Sequence, residues 1–315
     1  MKKVSIIIPV YNRTHLLKQA IDSIRKQANC EFELIVVDDG SDKEERASNK
    51  RLTEAANGIW VEIDHCGIAS HVRNVGVKKS QYDWVAFLDS DDVWLPTKLE
   101  RQIAKLDLFT SIPISLSPCD IEEFLTKEGV CKKRFLVHTK EEWNREGVIV
   151  SQSGQRHPHS GDIFEAALQK CIIGPSTVLM NKKIFLLLGG FNENLEIAED
   201  YELWLRFTTL FCVDYIDESL IIKRAGRWQQ LSSKYDHIED FRIRALGHYI
   251  EWAKTLLVNT SEVNQPNLFK RLNECKSKAI NMLKKKIEIY AIGALKRGKS
   301  EELFALKKEF SHYLE

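Results

Sequence analysis

The chain has no apolar stretch near the roughly 18 uninterrupted residues that a membrane-spanning helix needs. The run 184–191 is brief and follows Lys182 and Lys183. The N-terminus offers no export signal either, because Met1-Lys2-Lys3 leads into a short apolar segment, Val4 to Val10, without a cleavage site. Charge of one sign is also missing: 46 Lys and Arg balance 45 Asp and Glu. Without a strong positive field, nucleic acid is not an expected partner. The seven cysteines are odd in number, scattered and never in Cys-x-x-Cys spacing. That excludes a disulfide framework and a thiolate zinc site, and it suits a reducing compartment. The expectation is a cytoplasmic protein, soluble or peripheral at the inner face of the membrane.

Within 315 residues, 43% of them hydrophobic, there is material for one large domain with an appendage. Val4-Ser-Ile-Ile-Ile-Pro-Val10 is a β-branched run of the kind buried on both faces of a sheet. Leu16, Leu17, Ala20, Ile21 and Ile24 then recur at helical spacing. Further strands are predicted over 32–37, 59–63 and 84–88, with helical stretches between them. Alternation of this kind implies an α/β fold with a parallel sheet, whose ligands sit beyond the carboxyl ends of the strands. Those ends carry Tyr11-Asn12-Arg13, Asp38-Asp39-Gly40-Ser41 and Asp89-Ser90-Asp91-Asp92.

Beyond a helix predicted over 98–108, the segment 111–161 reads as a long, loop-rich excursion, a binding loop or lid. A helix over 163–168, a strand over 176–180 and a helix over 201–210 follow. From about residue 232 the chain reads as helical, with Leu272, Ala279, Leu283, Ile287 and Tyr290 on one face and an excess of basic residues. This tail is expected to pack on the domain or on a second subunit, with a membrane surface as the alternative.

Asp89 and Asp91 stand two apart after an extended segment, so both carboxylates can face one side, and Asp92 extends the cluster. Hard oxygens so arranged suit Mg²⁺ or Mn²⁺ shared with a diphosphate. The competing reading is a solvated turn with a helix-capping aspartate. Asp38 and Asp39 can accept a hydrogen bond from a uracil imide or a ribose hydroxyl, or can simply close an Asx-type turn. Glu199 and Asp200 open a helix, either as caps or with a carboxylate serving as general base. A dinucleotide fold would need Gly-x-Gly-x-x-Gly where this chain has Pro9-Val-Tyr-Asn-Arg13. His157, His159, His65 and Cys66 receive no role, and Trp204 is read as core.

Taken together, Ile8-Pro-Val-Tyr-Asn12, Val37-Asp-Asp-Gly-Ser41, Arg73-Asn74-x-Gly76, Phe87-Leu-Asp-Ser-Asp-Asp92 and Glu199-Asp-Tyr-Glu-Leu-Trp204 resemble glycosyltransferase family 2 over about the first 230 residues. The resemblance implies the GT-A fold, a mixed, mostly parallel sheet flanked by helices. A catalytic domain would span 1–232 and a helical region 233–315. It further implies inverting transfer from a nucleoside diphosphate sugar to a glycan or lipid-linked acceptor. Pro9, Tyr11, Asp38, Asp39, Arg73 and Ser90 would bind the nucleotide sugar, and Asp89, Asp91 and Asp92 a divalent cation. Asp200 would be the base, with Glu199, Pro175 and Ser176 on the acceptor side. One departure is Gly226-Arg-Trp-Gln229, where the most similar subgroup commonly carries a Gly-His pair. Arg227 cannot ligate a metal, but its guanidinium can pair with phosphate oxygens. A non-catalytic sugar-nucleotide binder is the rival this departure favours. A sugar nucleotidyltransferase would need a glycine-rich loop after the first strand, which is missing.

Overall fold

A computed structural model describes residues 2–107, 134–145, 147–150, 159–225 and 238–314. Its first half is the predicted alternation: β1 (Lys3–Val10), α1 (Thr14–Arg25), β2 (Glu31–Asp39), α2 (Lys43–Ala55), β3 (Ile59–Ile63), α3 (Ala69–Lys79) and β4 (Trp84–Phe87). These strands pair in parallel in the order β3-β2-β1-β4. β1 is buried on both faces, Ile7 joining one apolar cluster and Ile6 and Ile8 the opposite one. Its pairing with β4 stops at Ile7↔Phe87. Pro9, lying past that point, therefore costs no ladder bond on that side. Because β2 and β4 lie on opposite sides of β1, the strand order reverses there, and a crevice opens at the carboxyl ends.

The second half is mixed. β5 (Val93–Trp94) and α4 (Lys98–Asp107) precede β6 (Arg134–Arg145), β7 (Val148–Val150) and α5 (Phe164–Gln169). β8 (Leu179–Asn181) pairs antiparallel with β4, and β6 continues the sheet from β8. β9 (Cys212–Ala225) runs parallel to β6, with three register shifts, and antiparallel to β5. The excursion predicted over 111–161 thus contains two strands. β6 escapes notice because only Phe135 to Thr139 are buried, while Lys140 to Arg145 are polar or half-buried. No single periodicity covers its length. The strand predicted over 176–180 starts instead as a 3₁₀ turn, Pro175–Thr177. Pro175 opens that turn, and Thr177 Oγ1 donates to the Gly174 carbonyl at 2.6 Å.

α6 (Lys182–Leu187) and α7 (Glu199–Leu210) complete this half, followed by α8 (Glu239–Val258), α9 (Pro266–Lys296), α10 (Ser300–Glu309) and α11 (Ser311–Leu314). The tail shares apolar clusters with the sheet layer. Leu268 and Leu272 reach Phe207 and Phe211, and Tyr201 and Leu205 of α7 pack among Tyr249, Cys275 and Ala279. Arg271 donates to the Thr208 and Thr209 carbonyls at 3.1 and 3.0 Å, satisfying the last turn of α7. Among the described residues no helix is long and apolar enough to cross a membrane. The boundary expected at 232/233 lies outside the described residues.

Candidate active site

At the end of β2, Asp38 closes the turn that the sequence allows. Its two oxygens accept from Ser41 N and Oγ at 2.8 and 2.6 Å, and the residue is wholly buried. Ser41 Oγ also accepts from Asn12 N at 2.9 Å, tying the ends of β1 and β2 together. Gly40 adopts φ +68° with His65 N only 2.6 Å from where a Cβ would stand, so the close approach of the 65–67 loop requires glycine. That loop feeds Asp39, whose carboxylate accepts from Cys66 N at 2.8 Å and Gly67 N at 2.9 Å. His65 Nδ1 lies 2.8 Å from the Asp39 carbonyl, and its ring stacks on half-exposed Tyr11 with centroids 4.3 Å apart. Sequence reasoning assigned His65 nothing, and its contact with Tyr11 is visible only once the strand ends converge.

The acidic run after β4 sends its side chains in different directions. Asp89 Oδ1 meets Arg73 Nη2 at 2.7 Å, and Asp91 Oδ2 meets Arg13 at 3.2 Å. Asp92, expected beside them as a ligand, points inward and is only 3% exposed. Its Oδ2 accepts from Ser176 Oγ at 2.8 Å, and the same hydroxyl accepts from Asp89 N at 3.1 Å. Burial, with Asp89 and Asp91 as like-charged neighbours, pushes the Asp92 carboxyl up to about 8 against the opposing charge of Lys223. Burial also works to raise Asp89, but Arg73, Lys223 and Arg13 outweigh it and hold that carboxyl below its ordinary range. Ser90 is buried within the turn.

Arg73 on α3 spans the crevice. Its other terminal nitrogen, Nη1, donates to Glu199 Oε1 at 2.7 Å, joining the end of β4 to the start of α7. Burial and the adjacent Asp200 push Glu199 up to about 7, although Arg73 opposes the shift. Asp200 Oδ1 accepts from Tyr201 N at 2.7 Å, and Oδ2 lies 3.3 Å from the Cys171 thiol. Lys223 on β9, which the sequence did not single out, lies among these groups. Burial opposes its charge, yet Glu141, Asp92, Asp89 and Asp200 together keep its ammonium protonated beyond the ordinary lysine range.

A divalent cation is the cofactor the sequence implies. Among the described residues, no group of three or more His, Cys, Asp or Glu forms a metal cage. Mg²⁺ and Mn²⁺ need fewer protein ligands when a diphosphate supplies the rest. Asp89 and Asp91 keep 26% and 13% of their side chains exposed, respectively, whereas Asp92 is committed to Ser176. Six carboxylates (Asp89, Asp91, Asp92, Glu141, Glu199, Asp200) meet four cations (Arg13, Arg73, Lys223, Arg224) among the described residues. The partly exposed Asp89 and Asp91 fit a divalent ion; Asp92, turned inward onto Ser176, does not fit as its ligand. Arg227, with His157, lies outside the described residues.

Residues 5–115 match a family model described as glycosyl transferase family 2. An uncharacterised glycosyltransferase of Rickettsia prowazekii is 28% identical over 76% of this chain and 69% of its own length. The Escherichia coli protein named UDP-Glc:alpha-D-GlcNAc-diphosphoundecaprenol beta-1,3-glucosyltransferase WfgD is 26% identical over 76% of this chain and 86% of its own. Some relatives are much longer: the chain spans 26% of a Rickettsia bellii glycosyltransferase. Among solved structures, S. aureus TarS 1–349 in complex with UDP-GlcNAc superposes with a TM-score of 0.62 at 20% identity, covering 91% of this chain and 81% of that one. At that identity the likeness is one of fold.

Proposed function

Because the chain belongs to glycosyltransferase family 2 and has the GT-A fold, we propose that it transfers a sugar from a nucleoside diphosphate sugar to an acceptor hydroxyl with inversion. The donor is UDP-linked and the acceptor is a glycan or lipid-linked sugar of a cell-surface polysaccharide. The similarity to WfgD, whose name gives a UDP-sugar and a lipid diphosphate acceptor, supports this choice. The observation that carries the reading is Arg73, which grips Asp89 and Glu199 at 2.7 Å each. It sets the donor edge of the crevice against the helix start that bears Asp200.

Tyr11, Pro9 and the turn held by Asp38 and Asp39 line the nucleotide end, where the exposed Tyr11 face offers a stacking surface for the base. Asp89 and Asp91 would hold Mg²⁺ or Mn²⁺, whose charge stabilises a departing diphosphate. Asp200 accepts the proton of the acceptor hydroxyl as that oxygen bonds to the anomeric carbon. The bond from that carbon to the diphosphate oxygen breaks, and its electron pair leaves with the nucleoside diphosphate. Arg73 and Glu199 orient the first turn of α7, and Pro175 and Ser176 form the wall beneath the acceptor. Arg227 serves as a phosphate partner.

We further propose that the helical tail meets the inner membrane face: Ile289, Ile292 and Leu295 are each more than half exposed on α9, and Lys285, Lys296 and Glu288 are exposed on the same face. Sedimentation with phosphatidylglycerol vesicles, absent with phosphatidylcholine vesicles, would support this placement; dimers in solution with no vesicle binding would oppose it. For the activity, ligand-observed NMR with UDP-glucose, UDP-GlcNAc and GDP-mannose in Mg²⁺ or Mn²⁺ is the direct test. Saturation of at least one donor supports the reading, and no binding by any nucleotide sinks it.

A further inference from the structure

β6 and β9 place Trp143 opposite Lys223 in parallel register, with Glu141 two residues earlier on β6. Trp143 Nε1 donates to Glu141 Oε1 at 2.9 Å and so fixes the carboxylate. The other oxygen, Oε2, is buried and has no hydrogen-bond partner among the described residues. Its ion pair with Lys223 Nζ is long, 3.9 Å, while the Lys223 side chain stays 24% exposed and lies over the Trp143 ring at 5.3 Å. A carboxylate oxygen and an ammonium at that separation are too far apart to satisfy one another. One oxygen at hydrogen-bond distance from both can bridge them once Oε2 is uncovered, accepting from the lysine and donating to the glutamate.

Only a hydroxyl or a water does both. A phosphate would be repelled by Glu141, and a metal ion by Lys223. We propose that Glu141 and Lys223 form a clamp for one sugar hydroxyl, a specificity-determining pair at the edge of the transfer site. The location supports a sugar over bulk water. Gly174, which both groups approach, directly precedes Pro175 and Ser176, and Ser176 Oγ accepts from Asp89 N at 3.1 Å, so the clamp lies beside the transfer site. The approach at Gly174 is tight: a Cβ there would stand 2.9 Å from Glu141 Oε2 and 3.4 Å from Lys223 Nζ, the ends of two flexible side chains. Gly174 has φ −80°, a conformation open to any residue, so an added Cβ acts by crowding these two atoms and not through backbone strain.

The inference rests on the transferase reading, and the hydroxyl can belong to the donor sugar or to the acceptor sugar. Glu141→Gln and Gly174→Ala test it together, the first removing the charged acceptor and the second crowding it while leaving the charge. UDP affinity, by calorimetry, should match the parent in both. If the donor sugar is clamped, both variants lose about tenfold in UDP-glucose or UDP-GlcNAc affinity, the effect of one charged hydrogen bond. If the acceptor is clamped, donor affinity holds and the KM for octyl glycosides of glucose and GlcNAc rises about tenfold. Parent-like donor affinity and acceptor KM in both variants would overturn the clamp. A parent chain that binds no nucleotide at all would instead overturn the transferase reading.

Discussion

The two halves of the sheet are built differently, and the site takes something different from each. In the parallel half, the polar groups at the strand ends are satisfied by near neighbours: Asp38 by Ser41, Asp39 by the 66–67 backbone, Asn12 by Asp42. In the mixed half, burial is less fully compensated: among the described residues Glu141 Oε2 has no hydrogen-bond partner, Asp92 is pushed up to about 8 although Ser176 donates to it, and Lys98 meets Gln102 and the Trp94 ring in the core. The first is a cradle whose polar groups are already paired, as the proposed nucleotide end requires; the second leaves buried polar groups that a substrate can complete, as the proposed selectivity side requires.

The comparison breaks first at Arg73, the residue that spans both halves. Arg73→Ala leaves Asp89 and Glu199 without their buried partner and should cost about 3–5 kcal/mol. Urea unfolding measures it, and a loss under 1 kcal/mol would mean the halves do not depend on this link. Next comes the close packing of the parallel half. At Gly76 an added Cβ would lie 2.4 Å from Ile7 Cγ2, and Gly76→Ala should destabilise by about 1–3 kcal/mol in the same assay.

Lys98 sharpens the contrast through pH. It is wholly buried, and burial holds its amine well below the ordinary value of 10.5. The unfolded chain therefore binds one more proton than the folded one between the lowered value and 10.5. Stability should rise with pH across that window, by up to about 1.4 kcal/mol per pH unit from this group. Comparing thermal unfolding of the parent and Lys98→Met across pH isolates the contribution, since the methionine variant loses this slope. The smallest effect belongs to the outer hairpin, where Ile149 is 64% exposed. Ile149→Thr should change stability by less than about 0.5 kcal/mol in urea.

The same contrast explains what was legible in the sequence. Strands buried on both faces write continuous apolar runs, so β1, β2 and β4 and the acid clusters at their ends are legible in the sequence. β6 and β9 are buried over part of their length, bend at register shifts and pair residues far apart in the chain. Their polar halves resemble loop, and the segment over 111–161 was read accordingly. Lys223 and Glu141 carry no local signal, because the pair exists only through that pairing. His65 had one indirect signal, Gly40, whose need for glycine arises from the loop passing over it. Asp92 shows the opposite failure: its place in an acidic run suggested a ligand, yet the turn directs it toward Ser176.

The most direct test of the account is donor binding and turnover measured side by side for the parent chain and Asp200→Asn, with UDP-glucose or UDP-GlcNAc, Mn²⁺ and an octyl glycoside. The account predicts equal donor affinity and a transfer rate about 10²–10⁴-fold lower in the variant, the range for loss of a general base. Transfer by Asp200→Asn at the parent rate would contradict it.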